Sequence, residues 1–257
     1  MLFCDLRGSC LISEEGKGDL PGLWGRVSAA LGIMTGNITD LDGVIGDFQG
    51  DAAMGFWGWP LPCPDRVERA ARAALGIRRD FQRLAQEAGK PLAGFACGIG
   101  IASGPTFAGK LGTFDQFKVG VFGPVVNLAS RLESLTKQFQ VPVLLDEASA
   151  GQLAGSRTGH WCRCRRVARV RPAGMTAVEA VSELLPSEVE PGAMKERERR
   201  DYEAALDAFL AGRWPDADRL LRHLPTGDGP ARFLRGFMQG RATPPAGWDG
   251  VIALQHK

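Results

Sequence analysis

Short apolar segments alternate with amphipathic helices along the first 183 residues, and this alternation constrains the fold more than any other feature. Residues 2–6 (LFCDL) read as a buried strand, and residues 19–36 as a helix with Leu23, Val27, Ala30 and Met34 on one face. Residues 42–58 (DGVIGDFQGDAAMGFWG) have the pattern of a hairpin turning at Gly50 and Asp51. Three prolines in WPLPCP (59–64) end it. The clearest helix spans 65–88, with Asp65 as candidate N-cap and Ala70, Ala74, Ile77, Phe81, Leu84 and Ala88 as its stripe. A buried strand at 92–103, a Gly-rich loop at 104–115 and a strand at 116–122 follow. Next comes a helix at 124–137 with Leu128, Leu132 and Leu135 buried. Further strands are expected at 141–146 and 176–182, with an arginine-rich strand between them. This order predicts an α/β sandwich, a mixed sheet with helices laid on it.

The C-terminal part reads differently. Residues 184–197 carry two prolines and the start of a charge run, MKERERRD, and are expected as a linker. From 198 to 257 a helical extension is expected, a helix–turn–helix of the tetratricopeptide type with Tyr202, Leu206 and Leu210 as its first stripe. One such unit is too few for a solenoid, so it should pack on the main domain.

Thirty-one basic against 29 acidic residues leave a net charge of +2, which argues against nucleic acid or an anionic membrane surface as partner. No apolar run approaches the ~18 residues of a membrane span. The six cysteines do not form a disulfide framework, and Cys4 and Cys97 sit inside apolar runs. No basic leader precedes an apolar core at the N-terminus, so a reducing, cytoplasmic setting is expected. Since the chain begins inside its first strand, an upstream regulatory domain is also expected.

Two acidic residues stand out. Asp5 lies in an apolar strand and Asp51 at the tip of an apolar hairpin. Carboxylates on neighbouring strand ends suit Mg²⁺, which takes one or two of them together with phosphate oxygens. In GPVVNLASRLE, Asn127 and Arg131 are four residues apart and share a helix face beside the leucine stripe. An amide and a guanidinium there suit a phosphorylated sugar. Arg163, Arg165, Arg169 and Arg171 share odd parity, which would line them along one strand face. His160, Cys162 and Cys164 also share a face, but no fourth metal ligand accompanies them.

LFCDLRG, GDFQGDAAMGFWG, GIGIASG and VFGPVVNLASRLE, in this order, resemble the catalytic domain of class III nucleotide cyclases, over about residues 1–183. The resemblance implies a ferredoxin-like sandwich acting as a head-to-tail homodimer. It implies conversion of a nucleoside triphosphate to a 3′,5′-cyclic nucleotide and pyrophosphate with two Mg²⁺ or Mn²⁺ ions. Asp5 and Asp51 match the metal-binding aspartates, with the carbonyl of Leu6 assisting. Asn127 matches the ribose-orienting asparagine and Arg131 the transition-state arginine. Arg171, or Arg169 as second choice, falls where a basic residue contacts the terminal phosphates. The base-reading positions depart from the family's adenylate pattern of Lys and Asp, Thr or Ser: here they hold Asp47 and Gly120. Asp47 has the chemistry of the guanylate type, because a carboxylate accepts from N1–H and the 2-amino group of guanine. ATP and GTP both stay open, as does a catalytically silent module that dimerises and passes signals.

Overall fold

The computed structural model describes residues 1–8, 18–87, 92–155 and 161–254. Most of the loop expected at 8–18, with Cys10, lies outside them, as do Ala88 and His160. The chain divides into two compact units, Met1–Glu133 and Ser134–Lys257.

In the first unit, four antiparallel strands stand in the order β4-β1-β3-β2, where β1 is Leu2–Arg7, β2 Val44–Gln49, β3 Ala52–Phe56 and β4 Ala96–Ile101. The central strand β1 carries Leu2, Cys4 and Leu6 into the core, all 2% exposed or less. Helix α1 (Leu20–Thr39) is capped by Asp19, whose Oδ1 accepts from the Gly22 amide at 2.9 Å. It buries Ala30, Met34 and Ile38. Helix α2 (Arg66–Ala85) buries Ala70, Ala74, Ile77 and Phe81 of its expected stripe. Asp65 holds the N-cap position but makes no side-chain capping bond there; its carboxylate instead pairs with Arg69 at 2.8 Å.

Two elements differ from expectation in this unit. The loop expected at 104–115 contains a strand, β5 (Phe107–Gly112), paired antiparallel with β6 (Phe117–Phe122) as a separate ribbon. Its glycines lower strand propensity, and the cross-strand ladder with β6 supplies what the sequence lacks. Helix α3 (Pro124–Phe139) is in place. Leu132 and Leu135 are buried as expected, but Leu128 is half-exposed and Val125 and Ala129 complete the inner face instead.

The second unit has a mixed sheet in the order β10-β8-β9-β7, with β7 (Val143–Leu145), β8 (Cys162–Arg171), β9 (Glu179–Pro186) and β10 (Ile252–Ala253). Neighbours are antiparallel except β10, which runs parallel to β8. Strand β9 lies later than expected and takes in Leu184, Leu185 and Pro186 from the start of the expected linker. The unforeseen helix α4 (Glu147–Gly155) follows β7, capped by Asp146, whose Oδ1 accepts from the Ser149 amide at 2.9 Å. Three helices then follow where one hairpin was expected: α5 (Glu196–Leu210), α6 (Trp214–Leu221) and α7 (Gly229–Met238). Helix α5 packs on β8, where the buried Tyr202 hydroxyl donates to the Val167 carbonyl at 2.7 Å.

The arginines of β8 do not share one face. The register against β9 shifts between Arg166 and Ala168, leaving Val167 as an extra residue, and such a bulge reverses the alternation beyond it. Arg165 is therefore buried at 2% exposure, while Arg166, Arg169 and Arg171 are exposed. Among the described residues no helix is long and apolar enough to cross a membrane.

Candidate active site

The β2–β3 hairpin positions Asp51. Gly50 turns the chain with φ +64°, a conformation open to glycine at no steric cost, and Gln49 pairs with Ala52 across the turn. The ladder between β1 and β3 sets Cys4 opposite Ala53. Carried one residue further, the same antiparallel register sets Asp5 opposite Ala52, the neighbour of Asp51. The two aspartates thus converge at one end of adjacent central strands. Both are half-exposed, whereas Leu6 is buried.

Asp51 shows what this end of the sheet can hold. Its Oδ2 is buried and has no hydrogen-bond partner among the described residues. A buried carboxylate oxygen without a donor is costly unless a cation meets it. Among the described residues no three His, Cys, Asp or Glu side chains cluster as a metal site. A divalent cation here would rest on Asp5 and Asp51, the Leu6 carbonyl and oxygens of a bound substrate, a hard donor set that fits Mg²⁺ or Mn²⁺.

Asn127 and Arg131 lie one turn apart on α3, exposed and half-exposed respectively. Neither side chain is tied to another group among the described residues, so both are free to meet a ligand. Gly100 on β4 fixes where this helix sits. A Cβ at Gly100 would stand 2.1 Å from the Ala129 carbonyl oxygen and 2.4 Å from the Glu133 amide nitrogen, so the helix backbone rests directly on the strand.

Asp47 has a partner that the sequence did not reveal. Its carboxylate is ion-paired with Lys118 of β6 and also accepts from the Phe48 amide at 2.9 Å. The Lys118 hydrogen bond holds the Asp47 carboxyl below its usual range. A bulge at Gly46, where the β2–β3 register shifts, sets the position of Asp47. Gly120 lies two residues after Lys118 on the same strand and is buried. A Cβ there would meet Leu111 at 3.0 Å, so the position contributes backbone alone. The sequence signal for Lys118 was present: positions 118 and 120 share a strand face.

Arg169 and Arg171 belong to the second unit. Both are exposed, and neither guanidinium has an ion-pair partner among the described residues. Cys162 and Cys164 are half-buried and in no disulfide among the described residues, and burial pushes the Cys164 thiol up to about 11.

Known proteins share the fold. The fold resembles the adenylyl cyclase CyaB from P. aeruginosa, with a TM-score of 0.61 and 23% identity over 74% of this chain and 95% of that one. It also resembles the guanylate cyclase domain of RhGC from Catenaria anguillulae in complex with GTP, with a TM-score of 0.59 and 19% identity over 73% and 95% of the two chains. In sequence, an uncharacterized protein of Mycobacterium tuberculosis is 31% identical over 163 residues, 63% of this chain and 28% of the relative. Adenylate cyclase 1 of Rhizobium meliloti is 29% identical over 146 residues, 56% of this chain and 20% of the relative. The chain spans less than a third of the length of these relatives. The family described as "Adenylate and Guanylate cyclase catalytic domain" matches residues 44–175, which is just over half of the chain. Its hairpin with Asp51 and its helix with Asn127 and Arg131 fall inside that match, and the chain belongs to this family.

Proposed function

We propose that this domain converts a purine nucleoside triphosphate, GTP ahead of ATP, into its 3′,5′-cyclic nucleotide and pyrophosphate. The observation that carries the base preference is the Asp47–Lys118 pair. Guanine presents two donors, N1–H and the 2-amino group, beside the acceptor O6. A carboxylate can accept from both donors while the ammonium donates to O6. Adenine offers one amino group and the N1 acceptor, so it leaves a carboxylate oxygen unmatched. Losing a matched hydrogen bond to a charged group costs about 1.5–3 kcal/mol.

In the reaction, the ribose 3′-oxygen bonds to the α-phosphorus and the bond to the bridging oxygen of the β-phosphate breaks. Pyrophosphate leaves, and the hydroxyl proton passes to solvent. Asn127 orients the ribose, which keeps the 3′-oxygen in line. Arg131 meets the negative charge that grows on the α-phosphoryl oxygens, so its contribution is larger in the transition state than in the bound substrate. Mg²⁺ or Mn²⁺ held by Asp5, Asp51 and the Leu6 carbonyl would supply positive charge against the triphosphate and acidify the 3′-hydroxyl. Arg171, with Arg169 beside it, is the candidate for the terminal phosphates.

The working unit is a homodimer. Five large apolar side chains of the β5–β6 ribbon and its turn are exposed: Phe107 at 76%, Leu111 at 43%, Phe114 at 98%, Phe117 at 64% and Phe122 at 57%. So much apolar surface on one ribbon calls for a covering partner, and a second copy of the chain provides it.

The test incubates the purified chain with Mn²⁺ and ATP, GTP, CTP or UTP separately and identifies cyclic products by mass spectrometry. Cyclic GMP as main product supports the reading. Cyclic AMP as main product keeps the cyclase and removes Asp47 as the base reader. No product from a folded dimer would leave a silent dimerisation module.

A further inference from the structure

A cavity of about 710 Å³ opens between α6, α7 and the turn after α7, and four arginines line it: Arg222, Arg232, Arg235 and Arg241. Asp218 is the one carboxylate among the lining residues. Arg222 donates to its Oδ2 at 2.6 and 2.9 Å, and Arg235 to its Oδ1 at 3.1 Å, so two cations share one anion. Arg232 donates to a neutral acceptor, the amide oxygen of Gln140. The Arg241 guanidinium meets no acceptor among the described residues; only its backbone N–H is bonded, to the Met238 carbonyl at 2.9 Å.

Four guanidiniums against one carboxylate leave the lining at a formal +3. The whole chain carries +2. The lining thus carries more net positive charge than the whole chain does. Like charges held together repel, and Arg241 offsets none of that: its guanidinium makes no hydrogen bond or ion pair among the described residues. A second observation concerns the wall. Trp214 is 1% exposed, and its indole N–H is buried without a nitrogen or oxygen acceptor among the described residues. By contrast, the indole N–H groups of Trp57 and Trp248 donate to backbone carbonyls at 2.8 and 3.3 Å.

We infer that this cavity binds a small, multiply charged phosphate anion, separately from the catalytic residues. The volume suits a small molecule rather than a protein segment. Guanidinium forks match phosphate oxygens two at a time. Trp214 is covered and offers no open ring face for a nucleobase, so the cavity recognises charge rather than base. Nothing in this inference depends on the proposed reaction.

The probe is inorganic pyrophosphate, titrated into the full chain by calorimetry and followed by thermal melting, with EDTA present to keep divalent cations from Asp5 and Asp51. Wild type is expected to bind with a raised melting temperature, and the affinity should fall as salt rises. Arg241→Glu, which breaks no side-chain hydrogen bond or ion pair among the described residues and should fold as wild type does by thermal melting, is expected to weaken binding at least tenfold. Arg232→Glu combined with Arg241→Glu should abolish it, while Arg131→Ala should bind as wild type does. The inference is overturned if pyrophosphate fails to bind at millimolar concentration. Equal binding by Arg241→Glu, or loss of binding in Arg131→Ala instead, overturns it as well.

Discussion

Asp47 on β2 and Lys118 on β6 form an ion pair that joins the edge of the main sheet to the β5–β6 ribbon. It places an acceptor and a donor side by side, where the sequence had offered an aspartate and a glycine. Replacing either partner should hurt guanine recognition more than chemistry. Asp47→Ala and Lys118→Ala are each expected to lower kcat/KM for GTP by roughly ten- to a hundredfold, the weight of about 1.5–3 kcal/mol for a charged hydrogen bond. Most of the loss should appear in KM. Asp47→Lys, which removes the acceptor and sets two cations together, should move the product ratio toward cyclic AMP. Steady-state assays with both triphosphates check this; unchanged GTP kinetics in both alanine variants would exclude the pair from base reading.

Gly100 controls the placement of Asn127 and Arg131 from a distance. A methyl group there meets helix backbone at 2.1 and 2.4 Å, and backbone cannot swing aside as a side-chain tip can. Gly100→Ala must therefore push α3 off β4, at a cost of about 1–3 kcal/mol for overpacking. Turnover should fall with it, since both site residues ride on that helix. Gly32→Ala on α1 is the control: nothing lies within 4 Å of its Cβ position, so a helix-interior gain of up to ~1 kcal/mol is expected. Urea denaturation midpoints and kcat on the two variants separate the outcomes.

The elements legible in the sequence are those whose burial and periodicity agree. Strand β1, helix α2 and the hairpin at Gly50–Asp51 show their apolar faces directly. What escaped depends on contacts between distant residues. Strand β5 is rich in glycine and is held by its ladder with β6. The end of β9 fell inside the linker expected at 184–197, because Pro186, Pro191 and the charge run after them read as a break, whereas the strand continues through Leu184, Leu185 and Pro186. Parity placed four arginines on one face of β8, and a single extra residue at Val167 undid that. Helix α4 did carry a local signal, Asp146 ahead of Glu147, in a segment too short for a clear stripe. At the site, single residues in motifs were readable, but the pairing of Asp47 with Lys118 spans 71 positions and needed the fold.

Arg165 is the polar centre of the second unit. It is buried at 2% exposure between Glu183 of β9 and Asp228 at the start of α7, with its guanidinium 4.6 Å from the Tyr202 ring centre. Burial works against its charge, yet the two carboxylates hold its pKa above the ordinary value. Removing one member of a buried ion cluster strands the others. Arg165→Ala should cost about 3–5 kcal/mol, a large fraction of the ~5–15 kcal/mol that holds a domain of ordinary stability. Glu183→Gln, which keeps a hydrogen-bonding oxygen and leaves Asp228 as counter-ion, should cost less. Equilibrium denaturation gives both values; equal stability of wild type and Arg165→Ala would make the cluster energetically idle.

Glu196 at the start of α5 gives a pH signature. The hydrogen bond from Arg199, together with that from Arg200, lowers its carboxyl to about 2 from an ordinary 4.5. A carboxyl depressed in the folded state binds its proton more readily when unfolded. Its stabilising contribution is therefore fully present above pH 4.5 and is lost as pH falls toward 2. The pair is solvent-screened, so the contribution is about 1 kcal/mol at most. Glu196→Gln should be less stable than wild type by that amount at pH 7, and the difference should vanish between pH 4.5 and 2. A gap that instead widened on acidification would assign the depressed carboxyl to another residue.

Arg131 separates binding from chemistry most cleanly. Its guanidinium is free among the described residues, so its removal breaks no internal bond, and the fold of Arg131→Ala should melt as wild type does. If its charge acts on the α-phosphoryl oxygens as they gain negative charge, the loss falls on kcat. The expected decrease is roughly a hundred- to a thousandfold, the weight of about 2.7–4 kcal/mol for one electrostatic partner, with KM within a few-fold of wild type. Arg131→Lys keeps a charge but loses the fork, so it should recover part of the rate. A variant that instead raised KM and left kcat intact would place Arg131 on the ground-state triphosphate, and another cation would have to serve the transition state.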